Sequence, residues 1–279
     1  MQASATSSPK NILEVSDLAV HFGTPDQPIR AVDGISFCVG QGETVALVGE
    51  SGSGKSITAL SLTRLAPPSA RYVAGKIYFE GEDLLACPEA RLRAIRGARI
   101  SYVFQEPMTS FNPVFTLGWQ IAEAIRLHQK SVNAKEEVLR LLDRVQLPKR
   151  VAQAYPHQMS GGQLQRGMIA MALACSPRLL VADEPTTALD VTVQREILNL
   201  LSELAETESL SILMITHNLG IVSDLAHRVY VMQKGRIVEH AETQKLLHHP
   251  EHAYTQRLMA AVPRLHPHEK IPAFVESEK

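Results

Sequence analysis

Short apolar runs punctuated by glycine and proline recur along the chain, and stretches of helical periodicity separate them. Residues 12–22 place Leu18, Val20 and Phe22 on one face, the period of a half-buried strand. Residues 23–30, with two prolines, read as a loop before a second strand over 31–39. Gly40-Gln41-Gly42 turns the chain into an apolar run over 44–48, which reads as a buried strand. Residues 57–65 have helical composition, and Pro67-Pro68 ends that pattern. A strand over 75–79, a short helix over 89–96 and a strand over 99–104 follow. From Pro107 the character changes. Asn133 can cap a helix whose Val138, Leu141, Leu142 and Val145 recur at helical spacing, so residues 107–159 form a helical insertion. The alternating pattern then resumes with a helix from Ser160 to Cys175 and a strand over 179–182. A helix (191–206), a strand (211–216), a helix (218–226), a strand (228–233) and a last helix (246–261) complete it. The expected fold is α/β with an inserted helical subdomain. It spans 12–263, between flexible tails at 1–11 and 264–279.

The chemistry begins between the 44–48 strand and the helix after it. Gly49-Glu50-Ser51-Gly52-Ser53-Gly54-Lys55-Ser56 stands in a strand, glycine-rich turn, helix context. Glycines let successive backbone N–H groups turn toward one anion, and the helix N-terminus adds its partial positive charge there. Lys55 can reach β- and γ-phosphates, and the Ser56 hydroxyl can sit on Mg²⁺. The implied ligand is a nucleoside triphosphate. A second apolar run, Leu179-Leu180-Val181-Ala182, ends in Asp183-Glu184. That is the Walker B arrangement, in which Asp183 holds Mg²⁺ through water and Glu184 polarises the attacking water as general base.

Gln105 and His217 also follow strands directly, and in parallel sheets ligands bind beyond the carboxyl ends of the strands. Singly, each reads as an ordinary loop residue. Their shared position suggests that Gln105 ligates Mg²⁺ and positions water while His217 hydrogen-bonds the γ-phosphate. Ser160-Gly161-Gly162-Gln163 opens a helix and has two readings: a capping box on its own helix, or that cap plus an anion site at exposed amides.

Composition narrows the class. The 279 residues are 45% hydrophobic with a net charge of −1, enough for a normal core and without the basic excess of a nucleic-acid binder. Cys38, Cys87 and Cys175 lack metal or disulfide spacing and read as buried thiols in a reducing compartment. Residues 1–10 carry no apolar signal-peptide core. No apolar run approaches a membrane span, residues 167–175 coming nearest. His248, His249 and His252 lack acidic or cysteine partners at ligand spacing and read as a solvated helix.

Met159-Ser160-Gly161-Gly162-Gln163 ahead of the Walker B Asp183 resembles the signature motif of ATP-binding cassette (ABC) ATPases, with Met159 for the usual leucine. With it come a Q-loop at Gln105, a D-loop at Ala188-Leu189-Asp190 and an H-loop at His217. Phe104-Gln105-Glu106-Pro107-Met108-Thr109-Ser110-Phe111-Asn112-Pro113, Tyr155-Pro156-His157-Gln158 and His252-Ala253-Tyr254-Thr255-Gln256 resemble the importers of dipeptides, oligopeptides, glutathione or nickel chelates. Residues 113–129 look closest to the glutathione type, and no cysteine follows Cys175 to hold the iron–sulfur cluster of some members. The resemblance implies an α/β P-loop core with an N-terminal antiparallel β layer and an inserted helical subdomain, and an ATPase acting with ATP and Mg²⁺ and pairing head-to-tail with a second, identical or related, ATPase subunit. Each signature, with Asp190, would complete the other's site. It further implies two integral membrane permease subunits, docked on the helical subdomain and the Gln105 loop, and an extracytoplasmic binding protein. The location would be the cytoplasmic face of the cell inner membrane. Phe22 sits where the family places an aromatic on adenine; core packing is the equal alternative. A soluble ABC ATPase of DNA repair or translation would want a coiled-coil insertion, zinc module or basic stripe. An exporter ATPase is opposed by the Gln105 region.

Overall fold

The computed structural model describes residues 11–129 and 131–260. Two sheets organise them. The first is antiparallel, in the order β2-β1-β4-β5, from β1 (Asn11–Gly23), β2 (Pro28–Gly40), β4 (Arg71–Phe79) and β5 (Glu82–Asp83). The second runs β10-β9-β3-β8-β7-β6. Its strands are β3 (Thr44–Val48), β6 (Ile100–Val103), β7 (Leu179–Asp183), β8 (Ser211–Thr216), β9 (Arg228–Gln233) and β10 (Arg236–Glu242). All pair in parallel except β10, which returns antiparallel along β9.

The central strands are buried on both faces, as continuous apolar runs in a covered parallel sheet require. Alternation then divides the core. Leu180, Ala182, Ile212 and Met214 face the helical side, while Leu179, Val181, Leu213 and Ile215 face the antiparallel layer. On the helical side lie α3 (Pro107–Ser110), α4 (Leu117–His128), α5 (Ala134–Arg144), α6 (Gly161–Ala172) and α7 (Val191–Glu208). Asn133 caps α5 as expected, its side chain accepting the Lys135 N–H. The other helices are α1 (Lys55–Ser61), α2 (Glu89–Ile95), α8 (Leu219–Val222), α9 (Thr243–His248) and α10 (Ala253–Ala260). Among the described residues no helix is long and apolar enough to cross a membrane.

Several boundaries differ from the sequence reading, each for a local reason. The loop expected over 23–30 shrinks to 24–27, because Gly23 pairs with Pro28 and β2 is an edge strand, where proline is tolerated. The strand expected from Gly75 starts at Arg71, recruited by pairing of Tyr72 with Val20. The helix expected over 57–65 occupies Lys55–Ser61, starting in the P-loop itself. Strand β10 was not expected. It follows a tight turn in which Lys234 and Gly235 both have positive φ, and its outer edge is polar, which hides the alternation. The helix expected over 246–261 is two helices split around Pro250, which cannot continue the backbone ladder. His248 therefore ends α9, while His249 and His252 lie in the break rather than on one solvated helix. The 218–226 helix is regular only as α8. Cys87 and Cys175 are buried, but Cys38 is only partly so. The N-terminal tail expected over 1–11 is too long by one residue, because Asn11 opens β1; residues 1–10 and the tail expected over 264–279 lie outside the described residues.

Candidate functional site

Four neighbouring parallel strands, β3, β8, β7 and β6, end on the same edge. The loop 49–54 follows β3, His217 follows β8, Glu184 follows β7, and Gln105 comes just after β6. They line an open cleft of about 570 Å³ whose walls include Glu50, Ser51, Gly52, Gly54, Lys55, Ser56, Gln105, Glu184, Thr187 and His217. Gly49, Ser53 and Asp183 are not among the lining residues. Phe22 is half-buried on β1 opposite Ile29, and it is not among the lining residues.

The loop's conformation depends on two glycines. A Cβ on Gly49 would stand 2.1 Å from the Met232 carbonyl. Gly54 has a φ of 107° and a Cβ there would meet the Ala31 carbonyl at 2.2 Å. Lys55 is only 5% exposed, and its Nζ donates to Gly49 O at 2.7 Å and Glu50 O at 2.9 Å. Burial lowers its pKa, opposed by Glu184, Asp183 and Glu50.

Burial likewise raises the pKa of Asp183, reinforced by Glu184 and opposed by the Ser56 hydroxyl and Lys55. Its Oδ1 is buried and has no hydrogen-bond partner among the described residues. A buried carboxylate oxygen without a donor, beside a serine hydroxyl and a phosphate-type loop, is a hard-oxygen donor set that fits Mg²⁺.

Glu184 is held by three side chains. Its φ is +48°, unusual for a residue with a side chain and characteristic of strained functional positions. Its Oε2 accepts from Gln105 Nε2 at 3.1 Å and from Thr187 Oγ1 at 2.8 Å; its Oε1 lies 3.0 Å from His217 Nδ1. The structure thus brings Lys55, Ser56, Gln105, Glu184 and His217 together. Thr187 is a site residue without an expected role; its signal in the sequence is a hydroxyl three residues after Glu184, where a turn closes through the Thr187 N–H and the Glu184 carbonyl at 3.2 Å.

Ser160, Gly161, Gly162 and Gln163 stand elsewhere, at the start of α6, and none lines the cleft. Ser160 Oγ accepts the Gln163 N–H at 3.3 Å and Gln163 Oε1 accepts the Ser160 N–H at 3.1 Å, a closed capping box. Gly161 is exposed, while a Cβ on Gly162 would strike Val193 of α7 at 2.7 Å. Asp190, also exposed, caps α7 through the Val193 N–H at 3.0 Å.

With this geometry in hand, the comparisons are specific. The chain matches the ABC transporter family over residues 32–187, more than half its length, and the oligopeptide/dipeptide transporter C-terminal region over 238–278. It is 47% identical to the dipeptide transport ATP-binding protein DppD of Escherichia coli (strain K12), over 90% of this chain and 78% of that protein. It is 52% identical to the peptidoglycan transport ATP-binding protein YejF of Agrobacterium fabrum, over 92% of this chain; it spans only 48% of that longer protein. Among solved structures, the dimeric post-hydrolysis ATP-binding cassette MJ0796 bound to ADP and Pi superposes with a TM-score of 0.75 at 25% identity. That match covers 83% of this chain and 98% of the other.

Proposed function

The chain belongs to the ABC transporter family, and from that premise we propose that it is the ATP-hydrolysing subunit of a multi-subunit importer of peptides or peptide-like substrates such as glutathione. The match of 238–278 to the oligopeptide/dipeptide transporter region and the likeness to a dipeptide transport protein support the substrate class. The observation that carries the reading is the convergence of Lys55, Gln105, Glu184 and His217 on one cleft at the carboxyl edge of the parallel sheet.

The P-loop amides from Gly49 to Ser56 and the Lys55 ammonium hold the triphosphate. Ser56, Asp183 and Gln105 would hold Mg²⁺, which when bound neutralises charge on the β- and γ-phosphates. Glu184 takes the proton of the attacking water. Gln105, Thr187 and His217 fix its carboxylate, so the base is oriented before substrate arrives. His217 meets Glu184 through Nδ1, and a hydrogen bond from Nε2 to the γ-phosphate would require a proton on both ring nitrogens.

Ser160 to Gln163 and Asp190 serve a second copy or a related subunit. In a head-to-tail dimer the exposed start of α6 covers the partner's γ-phosphate with its free amides and dipole. Met108, Val114, Phe115 and Trp119 form an exposed apolar surface beside the Gln105 loop, where two permease subunits would dock. An extracytoplasmic binding protein would deliver substrate to them, with this subunit on the cytoplasmic face. Two measurements test the reading. Phosphate release from MgATP must be seen and must fall about 10²–10⁴-fold in Glu184→Gln, and the chain must co-purify with membrane permease subunits identified by mass spectrometry. Parental hydrolysis in that variant removes the catalytic assignment; failure to co-purify removes the transport assignment.

A further inference from the structure

The last described helix reaches back to the first motif. Tyr254 of α10 is 2% exposed, packed in the cluster of Ala46, Val48, Leu219 and Leu246. Its hydroxyl accepts the backbone N–H of Glu50 at 2.9 Å. That N–H belongs to the same peptide unit as the Gly49 carbonyl, which accepts from Lys55 Nζ at 2.7 Å.

A trans peptide is planar, so its N–H and C=O point in opposite directions and cannot be turned independently. Pinning the N–H on Tyr254 therefore aims the carbonyl at the other end, and with it the seat of the Lys55 ammonium. Gly49 needs such an external anchor, because glycine leaves its own dihedrals the widest freedom. The anchor is itself held from the sheet. Glu239 of β10 accepts the N–H groups of Glu251 at 2.7 Å and His252 at 3.1 Å, and His252 Nδ1 accepts the Tyr254 N–H at 3.1 Å. Burial raises the pKa of the Tyr254 phenol, so the acceptor stays a neutral hydroxyl.

Resting on the nucleotide-site reading above, we propose that Tyr254 is a positioning residue of the phosphate site, acting on Lys55 through the Gly49–Glu50 peptide. The segment 251–254 thus serves the chemistry from the far end of the chain. Its hydroxyl does something that its ring does not, and the two roles separate by substitution.

The test measures ATP affinity by calorimetry and melting temperature on the full chain for Tyr254→Phe, Leu246→Ala and Lys55→Ala. Tyr254→Phe keeps the packed ring; it should bind ATP about 3- to 10-fold more weakly, the size of one net hydrogen bond, with little change in melting temperature. Leu246→Ala opens a cavity in the same cluster; it should melt lower yet bind ATP within about twofold of the parent when folded. Tyr254→Phe binding within about twofold of the parent overturns the proposal. So does a loss of affinity in Leu246→Ala equal to that in Tyr254→Phe, since the effect would then belong to packing. Unchanged affinity in Lys55→Ala is a separate result: it removes the nucleotide-site reading itself, and this proposal with it.

Discussion

The cleft edge and the start of α6 are both glycine-rich turns that open a helix, yet they are built in opposite ways. At the cleft, side chains from four strand ends turn inward onto one another: Glu184 alone meets Gln105, Thr187 and His217. At α6, Ser160 and Gln163 satisfy only each other, and Gly161 is left open: a Cβ added there would meet only one Leu189 methyl, at 3.4 Å. The first is a cluster whose side chains hold one another. The second is a finished helix cap presenting bare backbone to the outside, which is what a surface reserved for another subunit's ligand requires.

The largest effect should come from the self-contained side. Glu184→Gln keeps the shape of the carboxylate but not its basicity, so hydrolysis should fall about 10²–10⁴-fold while ATP still binds. Phosphate release alongside calorimetric affinity checks both halves, and a variant hydrolysing at the parental rate would show that another group is the base.

Gly161→Asp attacks the other side. If α6 only caps itself, an acid at a helix N-terminus is tolerated or mildly helpful. If it faces the partner's γ-phosphate, two like charges about 4 Å apart at intermediate dielectric repel by a few kcal/mol, and hydrolysis should fall roughly 10²-fold or more. The lone subunit should bind ATP normally. Where the protein pairs with itself, mixing Gly161→Asp with Lys55→Ala chains leaves one composite site free of both lesions, so the mixture should recover activity. Lost ATP affinity in the lone, folded Gly161→Asp subunit would place the motif in its own site and end the contrast.

A smaller effect separates the two glycine turns by sterics alone. Gly49→Ala drives a Cβ to 2.1 Å from a backbone carbonyl and should destabilise by about 1–3 kcal/mol or more in urea unfolding. Gly161→Ala meets only ordinary contact and should stay within about 0.5 kcal/mol of the parent. Equal losses at both positions would mean that the start of α6 is as tightly packed as the P-loop.

The contrast also explains what the sequence could reveal. Residues that follow an apolar strand run, such as Lys55, Asp183, Glu184 and His217, are legible because strand ends in a parallel sheet share an edge, and the buried strands are unmistakable. Strand β10 was not legible, because an edge strand with Arg236, Glu239, His240 and Glu242 shows no clean alternation. Pro250 is visible, but Leu246, Leu247, Ala253, Tyr254 and Leu258 keep helical spacing on either side of it and mask the break. Tyr254 stands in the sequence only as the middle residue of His252-Ala253-Tyr254-Thr255-Gln256. Its partner Glu50 is distant in sequence, and no local pattern announces a hydroxyl acting on a backbone amide across the fold.

The smallest effect tests the cap itself. Ser160 Oγ satisfies the Gln163 N–H, one of the donors that the first turn of α6 cannot satisfy internally, and α6 carries Leu164, Met168 and Ile169 into the core. Ser160→Ala removes that acceptor from an exposed position, where water replaces part of it, so the loss should be about 1 kcal/mol of unfolding free energy. Ser160→Asn keeps an acceptor of the right reach and should recover most of it. Neither change touches the P-loop, so ATP affinity of the lone subunit should stay at the parental value in both. A Ser160→Ala protein as stable as the parent would show that the box contributes nothing. A fall in the lone subunit's affinity would show that this helix end reaches its own cleft, and the two regions would no longer be separable.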